Sequence, residues 1–152
     1  MAKEIERKFL VLGTAWQADV TARVSIRQAY LTRGDAVSLR VRIVDGERAA
    51  LTIKSPTPAA VRSEFEYAIP LADALDMLEL RAGAIVEKIR HIVPFGGRSW
   101  EIDVFSGVHR GLVLAEIELP DADAAFERPA WLGAEVTGDP AYYNSGLAAA
   151  TA

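Results

Sequence analysis

The sequence predicts an α+β domain in which about eight β-strands curl into a closed or nearly closed barrel, with helices covering the outside. Three observations lead to this fold class. Charged and apolar residues alternate with a period of two in a series of short segments, which is typical of β-strands. The charged positions of most segments share one sign, and acidic and basic segments alternate along the chain. One longer stretch instead shows the periodicity of an amphipathic helix.

The predicted strands and helices follow one another in a regular order. Strands are predicted at 3–10, 24–31, 37–43, 49–54, 63–69, 85–93, 99–105 and 112–119. Turns are predicted at Arg33-Gly34-Asp35, Asp45-Gly46 and Gly96-Gly97, with a loop at 55–58. The stretch 71–81 follows Pro70 and carries Leu71, Leu75 and Leu78 on one helical face, so it is predicted to cover the apolar strand faces. Shorter helices are predicted at 14–19, 121–127 and 142–150.

Each predicted strand has one charged face, because successive side chains point to opposite sides of a strand. For any single pair of like charges, a sheet that leaves the pair in water is the ordinary explanation. The whole set favours another arrangement, since a solvent-facing surface usually mixes both signs with Ser and Thr. Like charges held side by side away from water repel one another strongly. We therefore expect the charged faces to line the inside of the barrel, where opposite charges or a multiply charged ligand offset the repulsion.

The predicted interior carries more acids than bases. The basic residues on the charged faces are Lys8, Arg40, Arg42, Lys54, Lys88 and Arg90. The acidic residues are Glu4, Glu6, Glu64, Glu66, Glu101, Asp103, Glu116 and Glu118. Divalent cations would offset the excess of acids and bridge the carboxylates to phosphate oxygens. Binding of a polyphosphate is therefore expected to depend on metal ions.

Composition narrows the class of protein further. The 152 residues fit a single domain, predicted to span 1–152. The absence of cysteine leaves oxygen and histidine ligands for a metal, which points to Mg²⁺ or Mn²⁺. A net charge of −4 argues against broad nucleic-acid binding. No apolar run approaches the roughly 18 residues of a membrane span, and the first residues lack a signal sequence, so we expect a cytoplasmic protein without a membrane partner.

Short motifs along the chain resemble those of a known family. Glu4-Ile5-Glu6-Arg7-Lys8 matches the E-x-E-x-K pattern on the first strand of the CYTH superfamily, the triphosphate tunnel metalloenzymes. Similar motifs follow in the family's order at 27–31, 39–42, 51–54, 64–66, 87–90, 101–103 and 116–118. The segment 131–147 resembles the C-terminal segment of short bacterial, tripolyphosphatase-like members. The resemblance thus extends over almost the whole chain.

The resemblance implies an eight-stranded antiparallel tunnel that binds a linear triphosphate or a nucleoside triphosphate with Mg²⁺ or Mn²⁺. It implies metal-binding roles for Glu4, Glu6, Glu116 and Glu118, with Glu64 and Glu66 as candidates for a second metal. It implies phosphate binding by Lys8, Arg40, Arg42, Lys54, Lys88 and Arg90. The residues expected to act in catalysis, by positioning water or orienting the bases, are Lys8, Tyr30, Lys88, Glu101 and Asp103. For Tyr30 a packed position with a satisfied hydroxyl is the open alternative.

Two positions depart from the family's pattern. Ala141 stands where relatives often carry a base, and Ile89 stands where a small polar residue is expected. Aromatic stacking on a substrate is not expected of Trp16, Trp100 or Trp131, because Trp100 should face outward and packing is the default for the other two. His91 and His109 are predicted to have structural or surface roles.

The reaction predicted from the charged interior and the resemblance is hydrolysis of inorganic triphosphate to pyrophosphate and phosphate. The partner is then a small polyphosphate, with ATP as a further candidate substrate. Within the same fold, a class IV adenylate cyclase and a nucleoside or thiamine triphosphatase are alternatives. A non-catalytic module that binds polyphosphate or nucleotide is the alternative from another class. A homodimer is compatible with such a small tunnel.

Overall fold

The computed structural model describes residues 5–32, 37–55, 63–143 and 147. The strands are β1 (Ile5–Val11), β2 (Ala22–Tyr30), β3 (Ser38–Val44), β4 (Arg48–Lys54), β5 (Glu64–Ile69), β6 (Val86–Phe95), β7 (Arg98–Ser106), β8 (Val113–Leu119) and β9 (Leu132–Glu135). One α-helix, α1, spans Leu71–Leu78, and short 3₁₀ helices lie at Ala15–Asp19, Gly107–His109 and Pro140–Tyr142. None of the helices in these ranges has the length and apolar character needed to cross a membrane.

The strands form one antiparallel sheet in the order β5-β4-β3-β2-β6-β7-β8-β1-β9. This confirms the mainly antiparallel fold with a helix, but the predicted closed barrel of eight strands is wrong. Within the described residues the sheet is open, with β5 and β9 at its edges. The reason is the ninth strand: β1 pairs with β8 on one side and with β9 on the other, so neither edge of β1 is left for β5. The four residues of β9 are too few to show a period-two pattern.

The open sheet is nevertheless strongly curved. β4 and β1 are six positions apart in the strand order, which in a flat sheet would separate them by about 29 Å. Burial raises the pKa of Glu6 on β1. The ammonium group of Lys54 on β4 is near enough to oppose part of this upward shift. The two ends of the sheet therefore approach each other, and the charged side of the sheet faces an interior space.

Glycine-containing turns connect the hairpins where the sequence predicted them. Gly96 and Gly97 adopt φ values of 60° and 75° between β6 and β7, as in a type I′ turn, whose twist matches that of the flanking strands. Asp45 and Gly46 adopt φ values of 55° and 65° between β3 and β4. The Asp45 side chain also accepts a hydrogen bond of 2.8 Å from the amide of Ser25, which joins the turn to β2. The turn predicted at 33–35 lies outside the described residues.

An aromatic cluster covers the outer face of β1, β7 and β8. The buried ring of Trp100 packs edge-on against Phe9, Phe126 and Trp131, with centroids 5.4 to 5.7 Å apart. Trp16 is buried in the same cluster, so the tryptophans pack as expected. The segment 121–127 was predicted to be helical and is instead a turn followed by irregular chain. The Asp121 carboxylate accepts a hydrogen bond from the amide of Asp123, which competes with helix formation.

A second apolar cluster covers the outer face of β3 and β4 beneath α1. Ala74 and Leu78 are buried against Val41, Ile43 and Ala49. Leu75 was expected on the packed face, but it is 45% exposed. The face of the helix that contacts the sheet is centred between the side chains of residues 74 and 78. Residue 75 lies too far around the helix axis to reach the sheet.

A third apolar cluster lies on the charged side of the sheet and includes Leu147 from the C-terminal segment. Leu147 is buried with Val86, Phe105 and Leu114. The ring nitrogen Nε2 of His109 lies 2.7 Å from the carbonyl oxygen of Leu147 and helps to hold it there. Most of the helix predicted at 142–150 lies outside the described residues. The described part of the C-terminal segment thus covers one end of the interior.

Replacing Gly133 should separate β9 from β1. A Cβ atom at this position would lie 2.8 Å from the carbonyl oxygen of Leu10, closer than real Cβ contacts. Gly133→Ala is therefore expected to lower the free energy of unfolding by about 1–3 kcal/mol, measured by urea denaturation. Ala134→Val, at the exposed neighbouring position of the same strand, serves as control. Equal stabilities of the two variants would contradict this account of the close approach.

A candidate active site on the charged face

The strand register brings the predicted site residues onto one face of the sheet, here called the charged face. Directly opposed residues on neighbouring strands point to the same side. Such pairs are Glu6 with Glu118, Lys8 with Glu116, Glu101 with Glu116, Arg90 with Asp103, Tyr30 with Arg40, and Lys54 with Glu64. Alternation along the strands adds Arg42, Glu66 and Lys88 to the same face. Glu4 lies outside the described residues.

Among the described residues of the charged face, six polar side chains are buried, and each comes from a different strand. These residues, here called the buried polar layer, are Gln28, Arg40, Thr52, Lys88, Asp103 and Glu116. Sequence reasoning missed Gln28 and Thr52 because neither is charged. The signal that would have found them is the period of two, since Gln28 precedes Tyr30 by two positions and Thr52 precedes Lys54 by two.

Asp103 contacts two bases, Lys88 within the buried polar layer and Arg90 beside it. Its carboxylate accepts hydrogen bonds of 2.9 and 3.0 Å from Nε and Nη2 of Arg90, and Nζ of Lys88 lies 2.8 Å away. Burial alone would raise the pKa of Asp103, but the charges of Lys88 and Arg90 outweigh burial and lower it to about 2. Burial lowers the pKa of Lys88 to about 8 in spite of Asp103. Asp103 therefore serves to orient and neutralise bases.

Glu101 lies on the other side of Arg90. Nη1 of Arg90 and Oε2 of Glu101 are 2.8 Å apart, so Arg90 bridges two carboxylates on β7. Burial raises the pKa of Glu101, the attraction of Arg90 opposes this shift, and repulsion from Glu116 adds to it. Glu101 is less buried than Asp103. It is thus a carboxylate that is oriented by an arginine and still accessible from the interior.

Glu6 and Glu116 form the acidic part of the face together with Lys8. Nζ of Lys8 lies 3.2 Å from Oε1 of Glu116 and donates a hydrogen bond of 2.8 Å to the carbonyl of Tyr142. Solvent reaches Glu6, yet burial and then repulsion from Glu116 raise its pKa. A carboxylate that is both accessible and partly desolvated lies in a concavity lined by protein.

The acidic part has the chemistry of a site for a hard cation. Carboxylate oxygens are the ligands that Mg²⁺ and Mn²⁺ prefer, and a cation would relieve the repulsion that raises the pKa of Glu6. Among the described residues, no three Asp, Glu or His side chains converge closely enough to hold a metal ion. Glu118 is exposed beside Glu6, and Glu64 and Glu66 lie exposed on the edge strand β5. Glu6 and Glu116 are therefore the described residues that fit a metal best.

Arginines dominate the opposite part of the charged face. Nε of Arg42 donates a hydrogen bond of 2.7 Å to Oε1 of Gln28, and Nη2 of Arg40 lies 3.5 Å from Oγ1 of Thr52. Burial lowers the pKa of Arg42 to about 10, and repulsion from Arg40 and Arg90 contributes to the shift. Arg42 remains charged near neutral pH. A multiply charged anion would relieve this repulsion.

Tyr30 is a neighbour of Arg40 and Arg42 on the charged face, whereas His91 lies outside this arrangement of charges. Tyr30 shares the charged face but packs against the apolar cluster around Val86 and Phe105. His91 is buried on the outer face, where its Nδ1 lies 3.1 Å from the carbonyl oxygen of Ile102. Its ring also packs against Trp16. The structural role predicted for His91 is confirmed.

Acid should remove the stabilisation that Asp103 provides. Its pKa of about 2 in the folded protein is below the ordinary value of 3.8, so its stabilisation is fully present above pH ~4 and is lost as the pH falls toward 2. This corresponds to about 2 kcal/mol. Asp103→Asn should therefore lower the free energy of unfolding measured in urea at pH 7, and the deficit relative to the wild type should shrink below pH ~4. Asp123→Asn, at an exposed position, is the control. A deficit that stays constant from pH 6 to pH 3 would contradict this role.

Comparison with known proteins places these residues in a family context. A model of the CYTH domain matches residues 2–143. An inorganic triphosphatase of Acetivibrio thermocellus is 45% identical over 148 residues, which cover 97% of this chain and 94% of that protein. An inorganic triphosphatase of Nitrosomonas europaea is 39% identical over 149 residues, which cover 95% of this chain and 96% of that protein.

The structural comparison agrees with the sequence comparison. A crystal structure of an inorganic triphosphatase superposes with a TM-score of 0.77 at 36% identity, covering 99% of this chain and 97% of that one. The similarity therefore includes the strands that carry the charged face as well as the outer clusters. The chain belongs to the CYTH domain family.

Proposed function

We propose that this protein is an inorganic triphosphatase, in which water attacks triphosphate to give pyrophosphate and phosphate. Relatives that match nearly the whole chain are inorganic triphosphatases. The observation that carries the proposal is the close approach of Arg40, Arg42 and Arg90. Burial lowers the pKa of Arg42, and repulsion from the other two arginines adds to the shift. Buried and half-buried bases that repel one another are suited to bind a small, highly charged anion.

Substrate binding is assigned to the basic part of the charged face. Guanidinium groups bind pairs of phosphate oxygens in a fixed, planar geometry. Arg40, Arg42 and Arg90 supply these groups, and Lys8, Lys54 and Lys88 add ammonium charges on the same face. Phosphoryl transfer needs mainly positioning of the phosphate chain and stabilisation of its charge, so this set of bases contributes to both.

Metal ions complete the proposed site. CYTH triphosphatases are generally metal-dependent, and we propose Mg²⁺ or Mn²⁺ because the available ligands are carboxylates. Glu6 and Glu116 would hold the cation, with Glu4 and Glu118 as further candidate ligands. The ion would neutralise phosphate charge and polarise the bond that is broken.

We assign to Glu101 the role of positioning the attacking water and accepting its proton. Its carboxylate is oriented by Arg90, and its raised pKa makes it a better proton acceptor than an ordinary glutamate. Asp103 is held by Lys88 and Arg90 and has a lowered pKa, so its role is to position these bases. We propose no direct catalytic role for Tyr30, which packs among apolar residues.

The setting proposed for this reaction is the cytoplasm, with free triphosphate as the substrate and ATP as a weaker one. The inorganic substrate is favoured because the relatives that match nearly the whole chain are inorganic triphosphatases. A homodimer stays a prediction from the sequence.

The direct test is release of phosphate from inorganic triphosphate with Mg²⁺ or Mn²⁺, with ATP assayed in parallel. We expect metal-dependent release from triphosphate at a rate that ATP does not match. If neither compound is hydrolysed, the proposal is wrong, and formation of cyclic AMP from ATP would then distinguish a cyclase from a binding module.

Glu6→Gln should weaken the use of metal ions without unfolding the protein. The substitution keeps the size of the side chain and removes one negative charge from the acidic part of the face. The metal concentration needed for half-maximal activity is expected to rise by roughly 10–100-fold, measured by titrating Mg²⁺ at saturating triphosphate. Glu47→Gln, at an exposed turn position, should leave it unchanged. An unaltered metal titration for Glu6→Gln would show that Glu6 is not a ligand.

A further inference from the structure

Gln28 occupies a position between the bases of two strands. Its side chain has no exposed surface. Across the sheet it is opposed by Arg42 on β3 and by Val86 on β6, the strand that also carries Lys88 and Arg90. Gln28 therefore lies on the charged face, among the bases that are proposed to bind the substrate.

The hydrogen bond to Arg42 fixes the orientation of the Gln28 amide. Oε1 of Gln28 accepts a bond of 2.7 Å from Nε of Arg42. The opposite orientation would set the NH₂ group against the N–H of Arg42, and two donors cannot bond to each other. The chemistry of the contact thus places the acceptor toward Arg42 and leaves Nε2 to point elsewhere.

Among the described residues, two buried donors of the charged face have no hydrogen-bond partner. Nε2 of Gln28 and Nε of Arg40 are buried, and neither has a hydrogen-bond partner in the described part of the structure. Native proteins rarely bury donors in this way, because such a group loses water and gains nothing in return. The third buried group of this kind, the indole Nε1 of Trp100, belongs to the aromatic cluster of the outer face. The two on the charged face lie on neighbouring strands.

The ligand that would satisfy these groups is an anion with several acceptor oxygens. An amide NH₂ and a guanidinium N–H only donate, so they cannot bind a metal ion. The arginines nearby already repel one another: the pKa of Arg42 is lowered by burial first, and Arg40 and Arg90 lower it further. A neutral donor at position 28 adds a hydrogen bond to a phosphate oxygen without adding another positive charge.

We propose that Gln28 is a phosphate-binding residue of this site, whose Nε2 donates, together with Nε of Arg40, to phosphate oxygens of the substrate while Oε1 holds the Arg42 guanidinium in position. The inference rests on the proposed function, since it assigns a residue to the same substrate. It concerns phosphate oxygens alone, so the contact does not require the metal ion. The affinity for triphosphate measured without metal ions therefore reports on this contact separately from metal binding.

The first test uses inorganic triphosphate in buffer with EDTA, with affinity measured by titration calorimetry. Gln28→Glu keeps the shape and the acceptor for Arg42, removes the NH₂ donor and adds a negative charge. Its affinity should fall by roughly ten-fold or more. Gln28→Met removes donor and acceptor, and its affinity should fall by roughly five-fold. Gln17→Met, at an exposed position, should bind like the wild type. In hydrolysis assays with Mg²⁺, the Gln28 variants should raise KM more than they lower kcat.

A second measurement needs no variant. Gln17 and Gln28 are the chain's two glutamines, so labelling glutamine side-chain amides with ¹⁵N gives one pair of amide signals for each. Addition of triphosphate in EDTA should shift the signals of Gln28 and leave those of Gln17 in place. Unchanged Gln28 signals, or wild-type affinity of Gln28→Glu, would overturn the inference.

The outcomes also separate this inference from the proposed function. Hydrolysis of triphosphate by the wild type together with unaltered binding by Gln28→Glu would remove only the role of Gln28. Tight binding without hydrolysis would remove the triphosphatase and leave the role of Gln28 to be judged by the affinities and amide signals. A wild type that does not bind triphosphate at all would overturn both.

Discussion

Lys88 and Arg90 are held on the charged face by one buried carboxylate, that of Asp103. An ammonium group as buried as that of Lys88 is tolerated only with such a partner, since desolvation disfavours its charged form. Arg90 in turn orients Glu101. The placement of Lys88, of Arg90 and, through Arg90, of the accessible carboxylate of Glu101 therefore depends on Asp103.

The charged face separates its functions by strand. Carboxylates of the charged face come from β1, β7, β8 and the edge strand β5, and bases come mainly from β3, β4 and β6. Opposite charges meet where Asp103 contacts Lys88 and Arg90, where Glu101 contacts Arg90, and where Glu116 contacts Lys8. A face that carries both signs suits a ligand that also carries both, as a metal-bound polyphosphate does. The neutral residues Gln28 and Thr52 fit between the bases and fix their side chains without raising the repulsion.

The period-two pattern predicted the eight long strands and the shared face of the charges, because each strand records in its own sequence which side is apolar. It did not predict closure, which depends on the partner of each strand edge. The edge of β1 that a closed barrel would pair with β5 is paired with β9 instead. β9 spans only Leu132–Glu135 and is too short to show a pattern. The segment 121–127 was assigned to a helix by its composition, whereas the Asp121 side chain captures a local amide. Gln28 and Thr52 were missed because the pattern was followed through charge alone.

The open edge at β5 gives Glu64 and Glu66 a role that is independent of any ligand. A strand at the border of a sheet presents unpaired backbone groups on which another chain can add a strand. On β5 both glutamates are exposed, and they alternate with the exposed apolar side chains of Phe65 and Tyr67. Negative charges at such a border repel an identical border of a second molecule, so these acids help to keep the protein from aggregating through its sheet.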